Sequence, residues 1–304
     1  VIILEGCDLS GKTTLANKLS AHYHDLPIRK FSVPDGDPTP DYVKELNHAT
    51  FPKIYDRFLY GEYVYSRVKN RNVYMGKFEL QMLELMLVTR PHLIVYCKPP
   101  WDEVARRYAE RGDEYVNLVE LSEIYEMYDE ILTNPLANVI VYDGNNEGEV
   151  LMRCKQAMDE VNWAFYNSFK KNGFPGIGKL NPKYMFIGER YNYRAQHQVT
   201  FWSKAGEYLM EQIAKTGVDI KDCHFANSID DRVKKITPLH IMLVNPEYVV
   251  CLGAVAWNIV RFHMNALADH DIKVRQIPHP AYWSRFRSGE EDEYIKGIKL
   301  SCGL

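Results

Sequence analysis

An apolar strand running directly into Gly6-Cys7-Asp8-Leu9-Ser10-Gly11-Lys12-Thr13 is the feature that most narrows what this chain can fold into. The spacing is G-x-x-x-x-G-K-[ST], and the context it needs is present: VIILE precedes it and TLANKLSAHY follows it. Glycines let backbone N–H groups approach phosphate oxygens, and the start of the following helix adds a favourable dipole. In such a loop Lys12 bridges the β- and γ-phosphates and the Thr13 hydroxyl holds Mg²⁺. Gly6, Ser10, Gly11 and Thr14 complete the expected contacts to ATP.

The rest of the chain alternates in the manner that such a loop requires. VIILE (1–5), IRKFSV (28–33), PKIYDRF (52–58), LIVYC (93–97) and NVIVYD (138–143) read as buried parallel strands. Helical patterns fall between them at 12–24, 75–90, 101–112 and 118–132, and an amphipathic helix is expected over about 147–171. This predicts an α/β fold, a doubly wound parallel sheet with helices on both faces, over 1–171. NGFPGIGKLNP (172–182) concentrates Gly and Pro without periodicity and reads as a linker. Beyond it YMFIG, CHFAN, YVVCLG and KVRQI read as strands, with helices near 200–216, 254–268 and 290–299. A second, smaller α/β domain over 183–304 is the expectation.

Two further groups fall where a doubly wound sheet places its ligands. Asp56-Arg57 ends the strand PKIYDRF; an acid there binds Mg²⁺ or draws a proton from an attacking hydroxyl, and Arg57 clamps a phosphate. The alternative is a surface ion pair at a strand end. Arg106, Arg107 and Arg111 follow the fourth strand, either as a lid over phosphates or as a solvated helix face.

Composition sets the outer bounds. Of 304 residues 46% are hydrophobic and 25% charged, which fits a globular chain, and no apolar run is long enough to cross a membrane. The six cysteines are dispersed with no C-x-x-C pair, against a zinc site, an iron–sulfur cluster or a disulfide framework. A reducing, cytoplasmic setting is expected. The sequence opens on Val1, already inside a strand, so a few residues are expected to precede it. Residues 1–165 hold 18 Lys+Arg against 26 Asp+Glu, a net of −8, whereas 166–304 hold 19 against 14, a net of +5. The basic second half is either a hint of a polyanionic partner or drift in composition between domains.

EGCDLSGKTT, the strand end YDRF followed by Ser66, and PHLIVYCKPPWDEVARRYAERG resemble the thymidylate kinase and deoxynucleoside kinase group of P-loop enzymes over roughly residues 1–165. The resemblance implies that Asp8 lies close to an acceptor nucleotide, that Asp56 and Arg57 work at Mg²⁺ and phosphate, and that Arg107 and Arg111 hold the donor. VPDGDPTP (33–40) sits where the group has its acceptor-side loop, and the wording around 61–75 departs from a standard thymidylate kinase.

Over about 182–300, YMFIGERYN, FWSKAGEYLMEQIAKTGV, DCHFANSI, NPEYVVCLGAVAWNIV and IPHPAYWSRF resemble, in that order, the motifs of the uracil-DNA glycosylase superfamily. The resemblance matches Gly188 and Glu189 to the first motif, Asn227 to the base-reading position and His279-Pro280 to the closing loop. It implies a flipped-base pocket, Trp283 as a wedge, and Arg285 and Arg287 on phosphates. Arg190 and Tyr191 replace the small residue and proline of the first motif, so a base-binding pocket is expected in place of glycosylase chemistry. His279 as a turn or core histidine and Asn227 as a strand-end cap stay open beside these readings.

Together the halves predict an ATP- and Mg²⁺-dependent kinase that phosphorylates a hydroxyl on a modified pyrimidine, of 5-hydroxymethyluracil type, in DNA. This resembles the base-hypermodification kinases of bacteriophages. The rivals are a kinase of free deoxynucleoside monophosphates and a DNA repair or binding protein with a regulatory P-loop half.

Overall fold

The computed structural model describes residues 1–23, 26–48, 53–89, 92–159, 176–190, 200–229, 235–268 and 270–304. The chain divides into two compact units, Val1–Asn162 and Trp163–Leu304.

In the first unit the apolar runs become β1 (Ile2–Glu5), β2 (Ile28–Lys30), β3 (Ile54–Asp56), β4 (Leu93–Cys97) and β5 (Val139–Tyr142). They form one parallel sheet in the order β2-β3-β1-β4-β5. β1, β3 and β4 are buried along their whole length, which explains why β1 and β4 read as near-continuous apolar runs without alternation. The helices are α1 (Lys12–His22), α2 (Thr39–His48), α3 (Leu59–Val68), α4 (Lys77–Val88), α5 (Trp101–Arg111), α6 (Leu118–Leu132) and α7 (Glu147–Asp159). Ile2 and Leu4 of β1 pack with Leu15 and Leu19 of α1 and Val150 of α7 on one face. The chain leaves β1 for one side of the sheet and later crosses to β4 on the other, so the strand order reverses beside β1 and opens a crevice at the carboxyl ends. The part of the expected 147–171 helix beyond 159 lies outside the described residues.

The second unit holds β6 (Gly176–Gly178), β7 (Tyr184–Arg190), β8 (Cys223–Ile229), β9 (Tyr248–Leu252) and β10 (Lys273–Ile277), ordered β10-β9-β7-β8-β6. β7 to β10 are parallel, and β6 runs antiparallel along β8. Within the expected 172–182 linker, Gly176–Gly178 is instead an edge strand of this sheet, and 172–175 lie outside the described residues. Gly178 sits at φ 108, and a Cβ there would meet the Cys223 carbonyl oxygen at 2.5 Å, so glycine permits the close pairing. Helices α8 (Lys204–Ala214), α9 (Pro238–Val244), α10 (Ala254–Val260), α11 (Met264–Ala268), α12 (Pro280–Phe286) and α13 (Glu291–Ser301) flank the strands. The single helix expected over 254–268 is broken by a 3-10 turn at Arg261–His263, with Val260 and Leu267 on either side both in the core. The order reverses at β7, which places a second crevice at the ends of β7, β8 and β9.

All six cysteines are free and buried. No described helix is long and apolar enough to cross a membrane.

Candidate active site

In the first unit the loop after β1 turns on three left-handed residues, Gly6 (φ 139), Leu9 (φ 64) and Gly11 (φ 92). A Cβ on Gly6 would meet the Cys97 carbonyl oxygen at the end of β4 at 2.5 Å, so the loop can lie against that strand only with glycine at position 6. Lys12 opens α1 and is buried. Its Nζ donates to the Gly6 carbonyl at 2.8 Å and also to the Cys7 carbonyl, folding the ammonium over its own loop. Burial and then the nearby Arg57 charge lower its pKa. An ammonium in that position gains from an anion, and a phosphate group supplies one.

The Thr13 hydroxyl donates to Asp56 Oδ2 at 3.0 Å, joining the loop to the end of β3. Two hard oxygen donors so placed suit Mg²⁺. Lys30 Nζ stands 3.9 Å from the same Oδ2. Ser10 is buried within the loop, and Thr14 lies exposed on the first turn of α1.

Arg57 takes the left-handed conformation at φ 65. Its guanidinium pairs with Asp8, whose Oδ2 accepts from the Tyr65 hydroxyl at 2.8 Å, and it lies 4.6 Å from the centroid of the Tyr65 ring. Beneath this group sits Glu5, fully buried, accepting from the Phe58 backbone N–H at 2.9 Å and from the Tyr128 hydroxyl at 3.0 Å. Burial pushes the Glu5 carboxyl up to about 7, against the pull of those two donors. Glu5 thus fixes the backbone just after Arg57. Nothing local in the sequence marks it, because its partners are 53 and 123 residues away.

The arginines of α5 separate in role. Arg107 Nη1 donates to the Leu9 carbonyl at 2.7 Å, and its Nε donates to Glu103 at 2.7 Å, so it braces the loop. Arg106 pairs with Glu103 and Glu110 on an exposed face. Arg111 is exposed in the last turn of α5.

Behind Arg57 a pocket is enclosed by Phe31, Tyr42, Phe58 and Tyr65, with Tyr115 at 40% exposure and the Glu62–Arg71 pair also in its wall. Most of α3 is buried, Glu62 and Ser66 included, so it lacks the amphipathic period that would have marked it as a helix.

In the second unit the strand ends gather a different set. Gly188 pairs in register with Asn227 across β7 and β8, and a Cβ on Gly188 would meet Asn227 Oδ1 at 2.9 Å and the Phe201 ring at 3.0 Å. Asn227 is 3% exposed, and its Nδ2 is buried with no hydrogen-bond partner among the described residues. The Glu189 carbonyl accepts from the Ser228 hydroxyl at 2.7 Å, which fixes the end of β7 to β8. His279 caps α12, its Nδ1 accepting from the Ala281 N–H at 3.1 Å, and Gly253 at φ 89 lies against its Cβ. An accepting Nδ1 leaves Nε2 to carry the proton of the neutral ring. Burial lowers the His279 pKa, with Glu189 opposing and Arg285 adding to the effect. The helix-capping role and a ligand-facing Nε2 are compatible in one side chain.

Trp283 is corrected. It is 8% exposed, its Nε1 donates to the Glu290 carbonyl at 3.1 Å, and its ring packs 5.1 Å from Tyr294. Seven-residue α12 turns position 283 inward and leaves Tyr282 and Phe286 outward at 51% and 70% exposure, their rings 5.6 Å apart. Arg285 is exposed on the same helix, and Arg287 is paired with Glu290. Tyr191 lies outside the described residues.

No model of a known protein family matches the chain. It is similar to the SPbeta prophage-derived uncharacterized protein YorR of Bacillus subtilis (strain 168), 28% identical over 144 residues, 44% of this chain and 82% of that protein. Among solved structures it is similar to YorR from Bacillus subtilis in complex with phosphorylated GDP, with a TM-score of 0.43 and 25% identity, covering 56% of this chain and 96% of that one. It is also similar to deoxyadenosine kinase from M. mycoides with dCMP and dCDP (TM-score 0.32, 15% identity, 54% of this chain and 98% of that one). Thymidylate kinase from Candida albicans is a further likeness, with a TM-score of 0.33 and 19% identity over 52% of this chain and 90% of that one.

Proposed function

We propose that the chain is an ATP-dependent phosphotransferase whose acceptor is the hydroxyl of a modified pyrimidine, of 5-hydroxymethyluracil type, in DNA. The observation that carries the kinase reading is the convergence of Lys12, Thr13 and Asp56 with the Asp8–Arg57 pair at one crevice. Thr13 and Asp56 are the residues that would hold Mg²⁺, which when bound neutralises charge on the transferring phosphoryl group. Lys12, released from its own carbonyls, holds the donor phosphates, and Arg57 meets charge that builds during transfer. Asp8, bound to two residues of the aromatic pocket, orients the acceptor hydroxyl. Phosphoryl transfer asks mainly for positioning and charge stabilisation, which these groups supply without a strong base.

The second unit supports the DNA part of the reading. Its strand-end cluster of Glu189, Asn227 and His279 has an unused buried amide donor, the kind of group that reads the edge of an unstacked base. Tyr282 and Phe286 stand exposed next to it on α12, in the role expected of Trp283, and Arg285 supplies charge for phosphate. The similarity to a prophage-derived protein fits a bacteriophage setting.

A second reading, a kinase of free deoxynucleoside monophosphates, draws on the aromatic pocket behind Arg57, which suits a planar base without any polymer. Labelled ATP offered with 5-hydroxymethyluracil duplex, unmodified duplex and free dTMP separates the two. Label in the modified duplex, lost in Lys12→Ala, is the expected result. Label entering only free nucleotide establishes the second reading, and abasic sites without label point to repair.

A further inference from the structure

The pocket behind Arg57 is walled by aromatic rings, and Ser32, Arg57, Glu62 and Arg71 are its polar lining. Phe31, Tyr42, Phe58 and Tyr65 make walls suited to a flat ring, and into these walls the fold sets an acid and a base. Arg71 Nη2 donates to Glu62 Oε2 at 3.1 Å, with the Glu62 side chain 5% exposed. One polar valence of the pair stays unused among the described residues: Arg71 Nε is buried without a partner. Burial raises the Glu62 pKa while the Arg71 charge opposes that rise, so taking the pair out of water carries a desolvation cost. A surface ion pair would carry no such cost. An acceptor beside a donor in an aromatic slot matches the edge of a nucleobase, where a ring nitrogen and an exocyclic group lie side by side.

We infer that Glu62 and Arg71 are the base-reading residues of the acceptor pocket and determine which base it takes. This rests on the kinase reading above and adds to it. For a uracil-type base, Arg71 donates to a ring carbonyl and Glu62 accepts from the neighbouring ring N–H. A bare ring nitrogen at that place, as in cytosine, would face the carboxylate with no proton between them. A site with paired polar groups rejects a mismatched edge strongly because its own buried groups are left unmatched.

The test is calorimetric titration of the full chain with dUMP, dTMP, dGMP, dCMP and dAMP, and with short single strands carrying one central U or C. An ATP analogue serves as the control ligand. The expected result is a preference for uracil-type over cytosine-type probes of about tenfold or more. Glu62→Gln, whose amide either donates or accepts, should reduce that preference several-fold, and Arg71→Met should weaken every probe, with binding of the ATP analogue unchanged in both. A preference for cytosine-type probes that Glu62→Gln abolishes keeps the pair as the reader and removes the uracil-type acceptor. Equal binding of all probes, or a wild-type preference kept in both variants, overturns the inference and leaves the kinase reading standing. Should Arg71→Met fail to fold, as judged by its melting curve, Glu62→Gln alone decides, since it preserves volume.

Discussion

The Thr13 hydroxyl and the Asp56 carboxylate meet at 3.0 Å, although 43 residues of chain separate them. β1 and β3 are neighbours in register, Leu4 opposite Asp56, so the loop after one strand and the acid ending the other share one edge of the sheet. An oxygen pair held in that way has its geometry set by the sheet rather than by a mobile loop.

Replacing Asp56 with Asn should lower phosphoryl transfer by about 10²-fold or more, the usual cost of losing a group at developing charge. The Mg²⁺ concentration needed for half-maximal rate should rise, because the anionic ligand is gone. Rates measured across a Mg²⁺ titration check this, and an unchanged requirement would remove Asp56 from the metal site.

Glu5 makes stability depend on pH. Its folded-state pKa is raised from 4.5 to about 7 by burial, so the folded protein holds this proton more tightly than the unfolded chain. The contribution is fully present below about 4.5 and is lost as pH rises through about 7, an effect on the order of 3 kcal/mol. His224, buried in the second unit with its pKa lowered to about 4, acts in the opposite sense as pH falls below its ordinary value. The decisive quantity is therefore the difference between wild type and Glu5→Gln. Denaturant melts at pH 5 and pH 8 should show a smaller fall in stability for Glu5→Gln than for wild type, and parallel curves would contradict the assignment.

Asn227 carries a buried donor without a partner among the described residues, which costs about 1–3 kcal/mol in the folded state. Asn227→Ala removes that cost while opening a small void, so its stability should change by less than about 1 kcal/mol. Affinity for DNA carrying an unpaired pyrimidine should fall by about tenfold. Melting curves and fluorescence anisotropy on the same preparation check both halves, and lost stability with unchanged DNA affinity would return Asn227 to a purely structural role.

On α12 the two kinds of aromatic should part company. Trp283→Ala empties a packed site against Tyr294 and should cost about 3 kcal/mol or more. Phe286→Ala, at 70% exposure, should leave stability within about 0.5 kcal/mol. If the exposed ring stacks on a base, DNA affinity should fall about tenfold in Phe286→Ala. Unchanged affinity in the Tyr282→Ala, Phe286→Ala double variant would exclude a stacking role.

Much of the architecture is legible in the chain itself. β1, β4 and β9 are short apolar runs that stay strands wherever they are buried, and the loop Gly6–Thr13 is identified by its own spacing and by its neighbours. α2, α3, α9 and α12 are less so. α3 hides because it is buried on nearly every side, which erases the polar half of a helical period. α9 and α12 are seven residues each, too short for a period to show, and both begin with Pro, which reads equally as a turn. β6 is concealed by its two glycines, which are the mark of a linker until an antiparallel neighbour pairs with them.

The sequence by itself determined that this chain carries a loop of phosphate-binding spacing at Gly6–Thr13 and alternates strand with helix, because both are written in contacts between near neighbours. Only the tertiary structure decided which charges work together. Glu5 under Arg57, Asp8 against Tyr65 and Thr13 on Asp56 are brought together by strand order and helix packing. Tertiary packing also turned Trp283 into the core and Phe286 out of it, since burial depends on what lies across the fold and not on the residue alone.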